Sequence, residues 1–183
     1  MISDAKPQNI IIVITMIVGI ISGIGLVTSA SYYGGSYTMI RYLEIDLVDV
    51  SVSNFDPDNI TQNPALSMRF SVNAPTGGAK GDAQITYFTA QVYINGDKIN
   101  YATFKRDIPH DLQPLFPGYN ETFSIGSTIL QDLDKQVLID AYNSNEWVIS
   151  IQLTLFYHVF DAVGESVRII AYSWNSPPSG LPF

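Results

Sequence analysis

The stretch EWVISIQLTLFYHV, residues 146–159, alternates with a period of two. Trp147, Ile149, Ile151, Leu153, Leu155, Tyr157 and Val159 leave one side of an extended chain, and Ser150, Gln152, Thr154 and His158 the other. A strand with one wholly apolar face must be covered, and a second sheet facing it is the natural cover. This stretch therefore predicts a two-layer, mainly β domain.

The neighbouring segments extend the pattern. A turn at Asp161 to Gly164 leads to a final strand, Ser166 to Trp174. Upstream the period changes: Leu130, Leu133, Val137, Leu138 and Ala141 share one helical face, with Asp132, Asp134, Lys135 and Asp140 largely opposite. Ser127 or Thr128 can cap that helix, and Asn143-Ser144-Asn145 ends it. Before it comes a strand near Thr122 to Ile125, behind a polar loop holding Pro109, Pro114, Pro117 and Gly118. Asn95-Gly96 joins Ile85–Ile94 to Lys98–Lys105 as a hairpin, since both turn positions favour positive φ. Two further β-rich runs, Ile45–Ser53 and Leu66–Val72, flank the turn-forming segment NFDPDNITQNP. Gly77 to Asp82 lacks the spacing and strand-to-helix setting of a phosphate loop and reads as a hairpin loop.

The amino-terminal end is of another kind. Ile10 to Ala30, IIIVITMIVGIISGIGLVTSA, carries no charge. As a helix it is roughly 30 Å long, the thickness of a bilayer's hydrocarbon core. The rival reading is a cleaved secretory signal, for which Thr28 to Ser31 offer small residues. The length of the run and its barely basic leader favour a retained signal-anchor. Beyond it, Tyr32, Tyr33 and Tyr37 around Gly34-Gly35 read as an interfacial aromatic belt on a flexible stalk. The expected organisation is a cytoplasmic leader (1–9), a transmembrane helix (10–30), a stalk (31–43), a sandwich (44–174) and a Pro-rich tail (175–183). Within the span, Gly19 and Gly23 permit close helix–helix contact.

Composition narrows the function. The formal net charge is −8, with only Asp4 and Lys6 ahead of the apolar run, so the acidity belongs to the polar domain. An acidic domain is repelled by phosphate backbones, and nucleic acid is not an expected partner. There is no cysteine, which removes disulfides and thiolate metal sites. His110 and His158 are the only histidines, without zinc-ligand spacing, and no Gly-x-Ser-x-Gly elbow occurs. Asp56, Asp58 and Asn59 around Pro57 read as turn formers because a full calcium loop is missing. No cofactor, metal or enzymatic activity is expected. Asn59-Ile60-Thr61 and Asn120-Glu121-Thr122 are glycosylation acceptor triplets in loop-like sequence. With the slight positive-inside bias they favour a single-pass protein, amino terminus cytoplasmic and domain extracellular or lumenal.

Three segments, ITYFTAQVYINGDKIN, PLFPGYNETFSI and the helix leading into EWVISIQLTLFYHVFDAVGESVRI, together resemble the late-embryogenesis-abundant type-two domain, also called the water-stress and hypersensitive-response domain. The resemblance spans about Ile45 to Ser173. It departs from the family at Asn54-Phe55-Asp56-Pro57, where two residues interrupt an Asn-Pro turn. It implies a seven-stranded antiparallel sandwich, similar to fibronectin type III, with one edge helix. It also implies a membrane-anchored binding module for lipid or another apolar ligand, or for stress protection of the envelope. The alternative is a structural subunit of a surface filament, coat or membrane complex, in which the chain is a homo-oligomer or a partner in a larger assembly. The tail carries Leu181 and Phe183, apolar groups expected to dock in a groove of this domain or of a neighbouring copy.

Overall fold

A computed structural model of the chain describes residues 5–77, 81–160 and 165–182. In chain order these form α1 (Ala5–Arg41), β1 (Glu44–Ser53), β2 (Ala65–Asn73), β3 (Ala83–Ile94), β4 (Asp97–Lys98), β5 (Phe104–Asp107), a 3-10 turn (His110–Leu112), β6 (Asn120–Thr128), α2 (Asp132–Ser144), β7 (Ile149–Val159) and β8 (Ser166–Trp174). The strands build two antiparallel sheets, β1-β2-β6 and β4-β3-β7-β8, with β5 also paired to β3.

The core lies between the sheets, where the alternating residues point. Leu66, Met68, Phe70 and Val72 of β2 face Ile149, Ile151, Leu153 and Leu155 of β7, and all eight are buried. β3 keeps its apolar face inward by a bulge between Ile85 and Tyr87. The extra residue shifts the alternation by one, so that both Ile85 and Phe88 are buried. A similar shift between Leu47 and Asp49 turns Val50 and Val52 of β1 inward.

Among the described residues eight strands are present where the family resemblance implies seven. The expected strand Lys98–Lys105 is the cause: it divides into β4 and β5, both on the same edge of β3. Between them Asn100 and Tyr101 leave the edge and donate their backbone N–H groups to the Asp134 carboxylate at 3.0 and 2.8 Å. That contact also corrects the expected face of α2. Asp134 and Lys135 are buried, whereas Leu130 and Leu133 are exposed. The Lys135 ammonium donates to the Ile60 carbonyl at 2.9 Å and to Asp132 at 3.2 Å, so the buried charge is partnered. Ser127 and Thr128 belong to β6 and do not cap α2, whose N-cap is Gln131. Asn145, in the left-handed region at φ 53°, ends it.

Two loop expectations also change. Gly34-Gly35 is not a flexible joint, because α1 continues unbroken to Arg41. Gly35, Ser36, Met39 and Ile40 are buried against the sandwich, and packing overrides the weak helix propensity of glycine. The segment from Gly77 to Asp82 is no hairpin: β2 and β3 lie in different sheets, so it crosses between them. Gly78, Ala79 and Lys80, and the turn expected at Asp161 to Gly164, fall outside the described residues. The Asn95-Gly96 turn does form as expected, with φ 53° and 93°.

Candidate functional site

The sandwich has two poles of different construction. At the proximal pole α1 enters beside the start of β1, and side chains fasten it there. Arg168 of β8 donates from one guanidinium nitrogen to the carbonyls of Ile40 at 3.1 Å and Leu43 at 2.8 Å. Carbonyls at and just beyond a helix C-terminus lack intrahelical partners, and the negative end of the helix dipole also favours a cation there. The Ser36 hydroxyl donates to Tyr32 O within the helix and accepts the Asp82 N–H at 2.7 Å. This approach requires Gly81, since a Cβ there would lie 2.3 Å from Ser36 atoms. The Tyr172 hydroxyl donates to the Ile45 carbonyl. Burial, with Asp46 nearby, pushes its pKa up to about 12, so the phenol stays a donor. A cleft of about 580 Å³ opens here, lined by Arg41, Tyr42, Glu44, Asp46, Pro75 and Arg168 among others. Its two cations and two carboxylates select no single ligand charge.

The distal pole carries two clefts of about 510 and 590 Å³ that share Trp147. Asn95, Glu146, Val148 and Asn175 line the first. The second lies between Tyr142, Asn145, Trp147 and the tail. The tail extends the three-stranded sheet as a short parallel bridge on β1. Ser179 N–H donates to Val50 O at 2.9 Å, and Val52 N–H donates to Ser179 O at 2.8 Å. Pro178 is buried, Leu181 is half-buried against the core, and the Tyr142 hydroxyl donates to Pro182 O at 3.1 Å. Phe183 lies outside the described residues.

The remaining sequence candidates do not converge. Asn59 and Asn120 are both exposed, Asn59 at the distal pole and Asn120 at the proximal one. Asn59 sits in a turn where its side-chain oxygen accepts from the N–H and hydroxyl of Thr61. Asn120 opens β6 and so lies in a strand, not in a loop. Gly19 and Gly23 lie on α1 with no atom within 4 Å of a would-be Cβ. Asp56 accepts the Asp58 N–H in a local turn. His110 contacts Gln113 at 3.3 Å, while His158 lies 3.7 Å from Glu165. Among the described residues no group of three or more His, Cys, Asp or Glu is arranged to hold a metal ion.

Sequence reasoning passed over Ser36, Phe160, Arg168 and Tyr172. Arg168 carried a signal, as the one charged residue in the strand SVRIIAYSW. Phe160, which packs against Tyr32, Tyr33 and Tyr37, carried none.

No family model matches the chain, and no curated protein matches its sequence. Among solved structures it is similar to a protein from Archaeoglobus fulgidus, 11% identical with a TM-score of 0.41, covering 72% of this chain and 98% of that one. It is also similar to a protein described as ApaA from Bordetella pertussis, 12% identical with a TM-score of 0.38, covering 74% and 95%.

Proposed function

We propose that the chain is a membrane-anchored, exported β-sandwich binding module that takes lipid or another apolar ligand at its distal pole. The observation that carries this reading is the pair of clefts on either side of Trp147, at the end away from α1. Their volumes fall in the range of small-molecule sites, and an indole wall with a few polar groups suits an apolar ligand held by one polar end. Anchoring is supported by α1, which from Asn9 to Arg41 has the length and apolarity of a membrane span. Export is supported by the exposure of both acceptor asparagines. The late-embryogenesis-abundant type-two, fibronectin-type-III-like assignment is supported by strand order. With β4 and β5 counted as one interrupted strand, three strands face four, and the chain crosses between sheets as in immunoglobulin-like sandwiches.

A photoactivatable fatty acid, added to the full chain in phosphatidylcholine nanodiscs, tests the binding reading. Labelling should map to peptides around Trp147 and the tail, and excess unlabelled fatty acid should compete for it. Val148→Arg, at a half-exposed position on the cleft wall, should lower it several-fold. Labelling that is unaffected by either change refutes a distal ligand site.

The structural-subunit reading has its own observation. Among the described residues β8 pairs only with β7, and its Val167 and Ile169 are exposed, which leaves a strand edge with apolar neighbours. A large, ordered assembly on size exclusion of the detergent-extracted chain favours this reading. A monomer or dimer favours the binding module.

A further inference from the structure

We propose that the end of β7 is a second membrane contact: Phe160 joins Tyr32, Tyr33 and Tyr37 in one aromatic cluster seated in the lipid headgroup layer. The inference rests on the membrane-anchored reading above and adds which surface of the sandwich meets lipid.

Depth along α1 carries the argument. If Ile10 to Ala30 fills the hydrocarbon, its outer boundary lies near Ala30, and the headgroup layer adds about 5–7 Å. Tyr32 and Tyr33 follow by two and three residues, about 3–5 Å at the helical rise. Helical side chains tilt toward the N-terminus, which brings both rings back toward that boundary. Phe160 is at the same level, its ring centroid 4.4 Å from that of Tyr33, 5.9 Å from Tyr32 and 6.0 Å from Tyr37. The three tyrosines remain 44, 53 and 65% exposed in the folded chain. Such amphipathic rings are favoured where apolar and wet layers meet.

The position of Phe160 is fixed from the helix. Its N–H donates to Asp82 O at 2.9 Å, and Asp82 N–H donates in turn to the Ser36 hydroxyl at 2.7 Å. Phe160 adopts φ 63°, a conformation that a bulky side chain avoids and that persists only where its surroundings impose it. One short chain of bonds thus runs from α1 through the start of β3 to the end of β7. Asp82, Glu165 and His158 lie nearby, with Glu165 accepting from Thr86. Carboxylates there disfavour anionic headgroups, so a zwitterionic surface is the expected partner.

The chain contains no cysteine, so single cysteines can carry an environment-sensitive fluorophore. Ile20→Cys, Phe160→Cys and Asp58→Cys, the last at an exposed distal position that lines neither cleft, would each be labelled in the full chain and reconstituted in phosphatidylcholine vesicles. Nitroxide lipids spin-labelled at shallow or deep positions would serve as quenchers. The shallow label should quench the Phe160 probe several-fold more than the Asp58 probe, while the deep label quenches Ile20. Quenching at Phe160 no stronger than at Asp58, with Ile20 still quenched, overturns the second contact and leaves the anchor standing. If Ile20 is also unquenched, the membrane reading fails and this inference falls with it. Phe160→Trp, read as the added tryptophan emission quenched by brominated lipid, checks that the result does not come from a misfolded cysteine variant.

Discussion

At the proximal pole the sandwich is tied by side chains that reach across the fold, Arg168 to Ile40 and Leu43, Tyr172 to Ile45 and Ser36 to Asp82. At the distal pole, apart from the tail bridge on β1, the ties are turns. Asn54, Asn95 and Asn145 there all adopt positive φ, and their side chains or end groups bond locally or to an adjoining loop. The Arg168 and Tyr172 ties join segments more than a hundred residues apart, and Ser36–Asp82 joins segments 46 apart. The distal side chains of Asn54 and Asn95 bond backbone groups 9 to 53 residues away, and the tail bridge of Ser179 to β1 is the long-range exception there. A pole built the first way should move with the helix as one body, while the second leaves clefts and a tail that can be remodelled.

The largest test of this contrast is a pair of truncations. Leu43 is fully buried beneath the helix end, so Leu43→Ala should cost about 2–5 kcal/mol, the range for removing a core leucine. Val148, half-exposed at the distal pole, should cost less than about 0.5 kcal/mol as alanine. Denaturant unfolding of the micelle-bound chain, followed by tryptophan emission, measures both. Equal losses would mean that the two poles are not differently built.

Next in size is Arg168→Met, which keeps the aliphatic stem and removes the donor. Two helix-end carbonyls then lose a charged partner, at a cost of about 1–3 kcal/mol. Amide exchange between Gly34 and Leu43 should rise while that of Asn95 and Val148 does not. A uniform rise across the sandwich would show instead that Arg168 supports the whole core.

The same contrast explains what was legible. The alternation in residues 146–159, the Asn95-Gly96 turn and the Asn145 helix end are local chemistry, and each forms where the sequence places it. The proximal ties depend on which segments meet, and no period or dipeptide encodes that. Gly34-Gly35 reads as a joint by propensity, yet it is helical because Met39, Ile40 and Leu43 have a core to enter. Leu133 and Asp134 exchange their expected environments for a similar reason: a backbone gap between β4 and β5 needs a carboxylate. For the candidate site, Trp147 could be read as buried, but its position beside two clefts could not.

A third test uses pH. An unfolded tyrosine ionises near pH 10, whereas Tyr172 is held protonated until about 12 by burial and by Asp46. Tyr119, buried with its hydroxyl donating to Leu112 O, is also raised, mainly by burial. Folding therefore has the full benefit of these neutral phenols below pH 10 and loses it as pH rises through the folded pKa of each. The melting temperature should fall steadily above pH 10, and the fall should be shallower in Tyr172→Phe. An identical slope in the variant would assign the alkaline loss to other groups.

The smallest expected effect concerns the tail, where the distal pole depends on one backbone conformation. Gly180 has φ 84°, and a Cβ on it would stand 2.5 Å from Val52 O. Gly180→Ala therefore strains the turn and meets a backbone atom that cannot move without disturbing β1. The parallel bridge at Ser179 should open, losing two backbone hydrogen bonds near the surface, for a global cost of about 1 kcal/mol. The local readout is sharper. Amide protection at Val52 and Ser179 should vanish, while Leu153 in the core stays protected, and fatty-acid labelling near Trp147 should change because the tail forms one cleft wall. Ser176→Ala, at an exposed tail position, should leave all three unchanged. If Val52 keeps its protection in Gly180→Ala, then the burial of Pro178 and Leu181 holds the tail, and the strand bridge merely follows.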